Sequence, residues 1–202
     1  MTTLSRLLVL IPGVLLCFAC GSTPVARRSG FLDDYGKLAP VDGNQGIWAY
    51  ESSDLDLRTY KHVLVEKTVA WFHPDADANE IDAGERMRLT REFGRVLRVT
   101  LRDNGYRVAK EAGPETLRVK AALTDLYVKI APLSTEGNRA GRIVLDGASM
   151  EAELSDSESG KVLLAVMSTR RGGGMQSYRG DANQRVFQYW ADQLVKLLTD
   201  GR

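Results

Sequence analysis

The sequence predicts an α+β fold, a two-layer sandwich with two amphipathic helices laid on a mostly antiparallel β-sheet. Three observations predict it. Residues 80–103 carry Leu89, Phe93, Val96, Leu97, Thr100 and Leu101 at helical spacing on one face. A second such pattern closes the chain with Val186, Tyr189 or Trp190, Leu194, Leu197 and Leu198. Most of what lies before and between them alternates apolar and polar residues in short segments bounded by turn residues, so the order is β-α-β-β-β-β-α.

Each element has its own signal. From His62, Val63, Val65, Val69 and Trp71 fall at even spacing and predict one strand ending before Pro74. Asn104-Gly105 stops the first helix, and Tyr106 and Val108 start a short strand. Residues 117–130 alternate, but the apolar set changes from odd to even positions between Leu123 and Leu126, which predicts a bulge near Asp125. The strand from Arg142 to Leu154 turns Met150, Ala152 and Leu154 inward and Ser149, Glu151 and Glu153 outward; residues 155–160 are a turn. Val162 to Met167 is apolar on both faces, as in a central strand covered on each side. A glycine-rich break at Gly172 to Gly174 precedes the last helix. Residues 31–61 lack a sustained period and read as an extended segment packed on a single domain, 62–202.

The first thirty residues have a different character. Leu7 to Phe18 is an apolar run behind Arg6, too short to cross a hydrocarbon core of roughly 30 Å. It ends in Ala19-Cys20-Gly21-Ser22, which resembles the lipobox of bacterial lipoprotein signal peptides. The resemblance implies a signal peptide over 1–19, cleavage between Ala19 and Cys20, lipidation of Cys20, and a tether over 20–30. Several acyl chains on one residue exceed the two-signal threshold for stable anchoring. Gly21 after the cysteine resembles lipoproteins sent to the outer membrane, which implies a lipid-anchored, periplasm-facing location. Cys17 would leave with the signal, so the folded domain would have no thiol for a disulfide, a metal or a nucleophile. The chain has 27 Lys and Arg against 26 Asp and Glu, and loss of Arg6 leaves 26 of each. Such a balance gives no bulk attraction to nucleic acid.

A family resemblance runs along nearly all of the mature chain. Its marks are Ser29-Gly-Phe-Leu-Asp-Asp-Tyr35 with Leu38 and Pro40, Tyr60-Lys-His-Val-Leu-Val65, Asn104-Gly-Tyr-Arg-Val108 and Gly113-Pro-Glu-Thr-Leu117. Glu151-Ala-Glu-Leu-Ser-Asp156 with Ser159-Gly160, and Gly180-Asp-Ala182 leading to Trp190-Ala191, complete the set. In order and spacing they resemble a bacterial lipoprotein family known as domain of unknown function 3313. The resemblance implies a lipid-anchored envelope protein and supplies no catalytic residues.

Signatures of known chemistry are missing from the sequence. It has no His-Glu-x-x-His, no Gly-x-Ser-x-Gly, no Ser-x-x-Lys and no phosphate loop. His62 and His73, read as surface residues, would lie roughly 30 Å apart on one extended strand, too far to share a metal. Asp75-x-Asp77-x-Asn79 begins like a calcium loop, but Glu80 stands where the turn needs glycine and Arg86 where a bidentate glutamate belongs, so these side chains are read as helix-capping groups. Arg170-Arg171 before Gly172 to Gly174 reads as a loop. Trp71, Phe93, Phe187, Tyr189 and Trp190 are spaced like core residues.

The remaining candidate is a basic stripe. Arg88, Arg91, Arg95, Arg98 and Arg102 are separated by steps of 3, 4, 3 and 4, which puts five guanidinium groups in a narrow band opposite the Leu89/Phe93/Leu97 face. Read blandly, it is a solvated face balanced in part by Glu92. Read for function, it is a contact for an anionic surface, since guanidinium forks pair with phosphate or carboxylate. The expectation is therefore a non-enzymatic binding or accessory module, anchored in the membrane by lipid, without cofactor or metal. Its partner would be an envelope protein, peptidoglycan or anionic lipid. The alternative is a small-molecule or metal-binding periplasmic module with its ligand between the sheet and residues 31–60; a hydrolase with a non-standard site is a distant third.

Overall fold

The computed structural model describes residues 28–44, 46–53, 56–73, 83–131, 142–171 and 182–200. Cys20, Ala19, most of the tether, the Asp75/Asp77/Asn79 triplet and Gly172 to Gly174 lie outside the described residues.

Among the described residues, eight strands form one mixed sheet and two helices pack on it. The strands are β1 (Ala39–Pro40), β2 (Ile47–Glu51), β3 (His62–Val65), β4 (Val69–Phe72), β5 (Arg107–Val108), β6 (Thr116–Ala131), β7 (Arg142–Asp156) and β8 (Val162–Arg171). Their order across the sheet is β1-β2-β8-β7-β6-β3-β5, with β4 also on β6. The ladders β1-β2, β2-β8, β8-β7 and β7-β6 are antiparallel, whereas β3-β5, β3-β6 and β4-β6 are parallel. The expected α+β class and element order hold.

Helix α1 (Ala83–Asp103) buries the residues its periodicity selects: Leu89, Phe93, Val96, Leu97, Thr100 and Leu101. It stops where Gly105, at φ 94°, turns the chain and Tyr106 N–H donates to Leu101 O at 3.1 Å. Helix α2 (Ala182–Asp200) buries Val186, Phe187, Trp190, Leu194, Leu197 and Leu198; Trp190 is the core residue and Tyr189 is only half-buried. Phe93, Phe187 and Trp190 meet with ring centroids 5.4 to 6.4 Å apart, locking the two helices together over the sheet. Among the described residues no helix is long and apolar enough to cross a membrane.

The bulge falls where the alternation changes. Asp125 has φ 51°, and the β6-β7 register shifts between Thr124 and Tyr127. Strand β8 lies inside the sheet with Leu164 and Val166 buried on one face and Leu163, Ala165 and Met167 on the other. Its cover on both sides is thus real.

Three expectations need correction. The single strand from His62 is two strands, because the chain leaves the ladder after Glu66, whose N–H still donates to Val119 O at 3.0 Å, and the Thr68 hydroxyl donates to Thr90 O at 2.6 Å. Gly94 of α1 makes that approach feasible, since a β-carbon there would stand 3.2 Å from Thr68 Oγ1. Residues 31–61 are not wholly irregular; they supply β1, β2 and two 3-10 turns, and β2 pairs with β8 over five positions. Trp71 is not core but 41% exposed, on the sheet face opposite the helices, with Phe31 edge-on at 5.9 Å.

Candidate functional site

The arginine stripe is built by α1 alone. Its core face is held by β3, β4, β5 and α2, so the opposite face is left to solvent. Arg88, Arg91, Arg95 and Arg102 are exposed and Arg98 is half-buried. From Arg88 to Arg102 the rise of 1.5 Å per residue spreads the guanidinium groups over about 21 Å. Arg88 meets Glu92 at 4.0 Å, and Arg102 is bound by Asp103 at 3.4 Å. Among the described residues, Arg91, Arg95 and Arg98 have no ion pair of this kind. The structure thus brings the five expected residues onto one face and leaves its middle uncompensated. A row of fixed cations like this can hold phosphate or carboxylate groups by charge-assisted hydrogen bonds.

The other face of the sheet holds a cluster that sequence reasoning missed. Ser149, Glu151 and Glu153 point away from the helices as expected, but they are buried, Glu151 completely. The cover is a strap, residues 28–37, with Leu32 buried and Tyr35 half-buried. The Tyr35 hydroxyl donates to Glu151 Oε2, and Thr124 Oγ1 donates to Glu151 Oε1 at 3.0 Å. Tyr35 in turn gathers the strap: its hydroxyl accepts from Gly30 N–H at 2.9 Å and Leu32 N–H at 3.3 Å, and lies 3.3 Å from Ser29 Oγ. Both carboxylate oxygens of Glu151 are therefore satisfied, which a buried acid requires.

Two ion pairs extend this polar seam toward the ends of β6 and β3. Glu153 accepts from Lys120 Nζ at 3.5 Å, and Glu66 Oε1 from Arg118 Nη1 at 2.8 Å. A clue to the seam was present: β8 was apolar on both faces, and a neighbour of a strand covered on both sides shares its cover. Glu151 on β7 pairs with Met167 on β8, so it could not be open to water.

Other titrating groups are tied into local contacts. At the β7-β8 turn, Asp156 accepts from the Ser159 hydroxyl and N–H, each at 2.7 Å, and from Tyr60 at 3.2 Å. The Ser159 bonds hold the Asp156 carboxyl below the usual range, while burial and the Asp156 charge push the Tyr60 phenol up. His73 is not a surface residue: its side chain is 12% exposed, with Nε2 3.7 Å from Asp125 Oδ1, because the bulge turns Asp125 toward β4. His62 aligns with Thr116, whereas His73 N–H donates to Leu126 O, ten residues further along β6 and about 33 Å away at strand spacing. Among the described residues no group of three or more His, Cys, Asp or Glu is arranged to hold a metal ion.

The model of the family described as protein of unknown function (DUF3313) matches residues 27–194. No curated protein matches the sequence significantly. Among solved structures, the chain is similar to a PelC dodecamer from Paraburkholderia phytofirmans, at 17% identity and TM-score 0.40, covering 71% of this chain and 93% of that one. It is also similar to lipoprotein GNA1162 from Neisseria meningitidis, at 15% identity and TM-score 0.36, covering 67% of this chain and 96% of that one.

Proposed function

The chain belongs to the family described as protein of unknown function (DUF3313), and from that premise we propose that it is a lipid-anchored envelope protein whose domain binds another envelope component without catalysis. Its place is the periplasmic side of the outer membrane, with Cys20 as the acylated residue. The observation that carries the binding role is the α1 stripe: Arg91, Arg95 and Arg98 stand on the face opposite the core with no ion pair among the described residues. Groups that satisfy such a row are phosphates or carboxylates. Small lipid-tethered domains gain effective concentration at the membrane without intrinsic chemistry.

The rival reading puts a small molecule between the sheet and residues 31–60. Leu32 and Tyr35 occupy that space themselves, which favours the arginine face. A direct test compares the unlipidated Cys20→Ser chain with the same chain carrying R91Q/R95Q/R98Q, for retention on anionic vesicles and on purified peptidoglycan, so that no acyl anchor holds either protein on the vesicles. Salt-sensitive retention that falls in the variant is the expected result. Equal retention of both proteins on both materials contradicts the binding role.

A further inference from the structure

Three large apolar side chains are exposed among the described residues: Trp71, Met87 and Val108. Trp71 is the aromatic one of the three, and it does not stand alone, because Phe31 of the strap packs edge-on against it with ring centroids 5.9 Å apart. Strand β4 pairs with β6 on one side and with no described strand on the other, so the two rings sit on a rim of the sheet. The strap spans from Glu151 on β7, across β6, to Trp71 on β4, about 10 Å at about 4.8 Å per strand. Packing within the fold does not account for the pair, since the contact leaves 41% of Trp71 open to solvent.

Cations flank this aromatic rim on both faces of the sheet. On the strap face the exposed Arg28 guanidinium lies 5.8 Å from the Tyr35 ring centroid; on the helix face the exposed Arg86 guanidinium lies 4.7 Å from that of Phe72, the neighbour of Trp71 on β4. Exposed Met87 follows Arg86, and exposed Lys67 stands just before β4. The strap's own acids are Asp33 and Asp34, and Asp34 is engaged by Lys37 at 3.4 Å and by Gly36 N–H at 2.8 Å. An exposed indole with an apolar neighbour and guanidinium groups beside it has the composition that suits the boundary between lipid headgroups and acyl chains. Rings enter the apolar edge there, and the cations meet phosphate.

Chain order brings the same rim close to the anchor. Arg28, the first described residue, is three positions from Phe31, so the strap half of the pair belongs to the part of the fold nearest Cys20 in sequence. We propose that the Phe31–Trp71 rim is a lipid-facing seat: its rings rest in the headgroup boundary of the leaflet that holds Cys20, with Arg28 and Arg86 against the phosphates. The seat depends on the lipid-anchored reading above and adds to it a second, noncovalent contact. Such a contact is weak alone, but a tether that keeps the rim at the surface raises its effective concentration.

The test places the full lipidated chain in vesicles of ordinary lipid and of lipid brominated at the headgroup end of its acyl chains, where bromine quenches tryptophan emission by contact. Trp48 and Trp190 also emit, so the share of Trp71 is the difference between the wild type and Trp71→Phe. Brominated lipid should dim the wild type, and W71F should lose most of that quenching. Equal emission in the two lipids, as when a second copy or another protein covers the pair, overturns the proposal. Quenching that W71F leaves unchanged overturns it too. Circular dichroism of W71F checks that the fold is kept. Cys20→Ser separates the two readings: if it abolishes retention on the vesicles while the wild type shows no quenching that depends on Trp71, the anchor stands and the seat fails. If Cys20→Ser is retained as well as the wild type, the anchor premise fails and the seat falls with it.

Discussion

The two faces of this sheet are both buried, but by different means. On one, α1 and α2 cover Leu117, Val119, Met150, Ala152, Leu154 and Val166 with Phe93, Phe187 and Trp190. On the other, a strap of ten residues covers Glu151, which also accepts from Thr124, through a few directed bonds centred on Tyr35. The first face is held by area and shape, which tolerate small errors of direction and punish lost volume. The second is held by hydrogen bonds, whose loss leaves a buried carboxyl group without a donor. One layer should therefore behave as the folding core and the other as a detachable cover.

Mutations can break or sharpen that contrast, beginning with the largest effect. Phe93→Ala empties the centre of the aromatic cluster and should cost about 3–5 kcal/mol in denaturant unfolding. A loss below about 1 kcal/mol would mean that the helix layer is not the core. Tyr35→Phe deletes the donor to Glu151 while keeping the ring, and should cost about 1–3 kcal/mol. Its signature is local: amide exchange should rise across 28–37 and stay unchanged in α1 and α2. Uniform loss of protection throughout the protein would show that the strap is part of the core rather than a cover.

The ends of the sheet contribute less. The Glu66–Arg118 pair is partly solvated, so a double-mutant cycle should return about 0.2–1 kcal/mol. The depressed Asp156 carboxyl contributes stability above its unfolded pKa of about 3.9 and loses it as pH falls through the folded value. Asp156→Asn should flatten the acid limb of a stability-against-pH curve, with the curves of the two proteins converging at the acid end. The raised Tyr60 phenol acts in the opposite sense, losing stability as pH climbs past about 10.

Legibility in the sequence follows the same division. The core face of α1, the stop at Asn104-Gly105, the bulge at Asp125 and the two-sided burial of β8 all leave a periodic or punctuating trace within a short window. The stripe was legible for the same reason, since 3, 4, 3, 4 spacing is a local property of one helix. Tyr35 and Glu151 are 116 residues apart, and no window contains both. Glu151 and Glu153 therefore looked like solvent-facing residues of an ordinary alternating strand. The break in the His62–Phe72 run was hidden likewise, because Thr68 leaves the ladder for a carbonyl on α1 that lies 22 residues on. Trp71 misled through its composition: a large aromatic at even spacing marks a face, and here that face is the one the strap covers only in part.

The central claim is that the α1 stripe is a binding surface and not a structural one. The most direct measurement follows the full lipidated protein and R91Q/R95Q/R98Q together, by thermal unfolding and by retention on peptidoglycan across a salt series. Substitutions on an exposed face away from other contacts should change stability by no more than about 0.5 kcal/mol. A binding surface predicts near-equal unfolding midpoints with retention that is strong and salt-sensitive only in the wild type. Equal retention at every salt concentration, or a variant that loses stability in step with its binding, would contradict it.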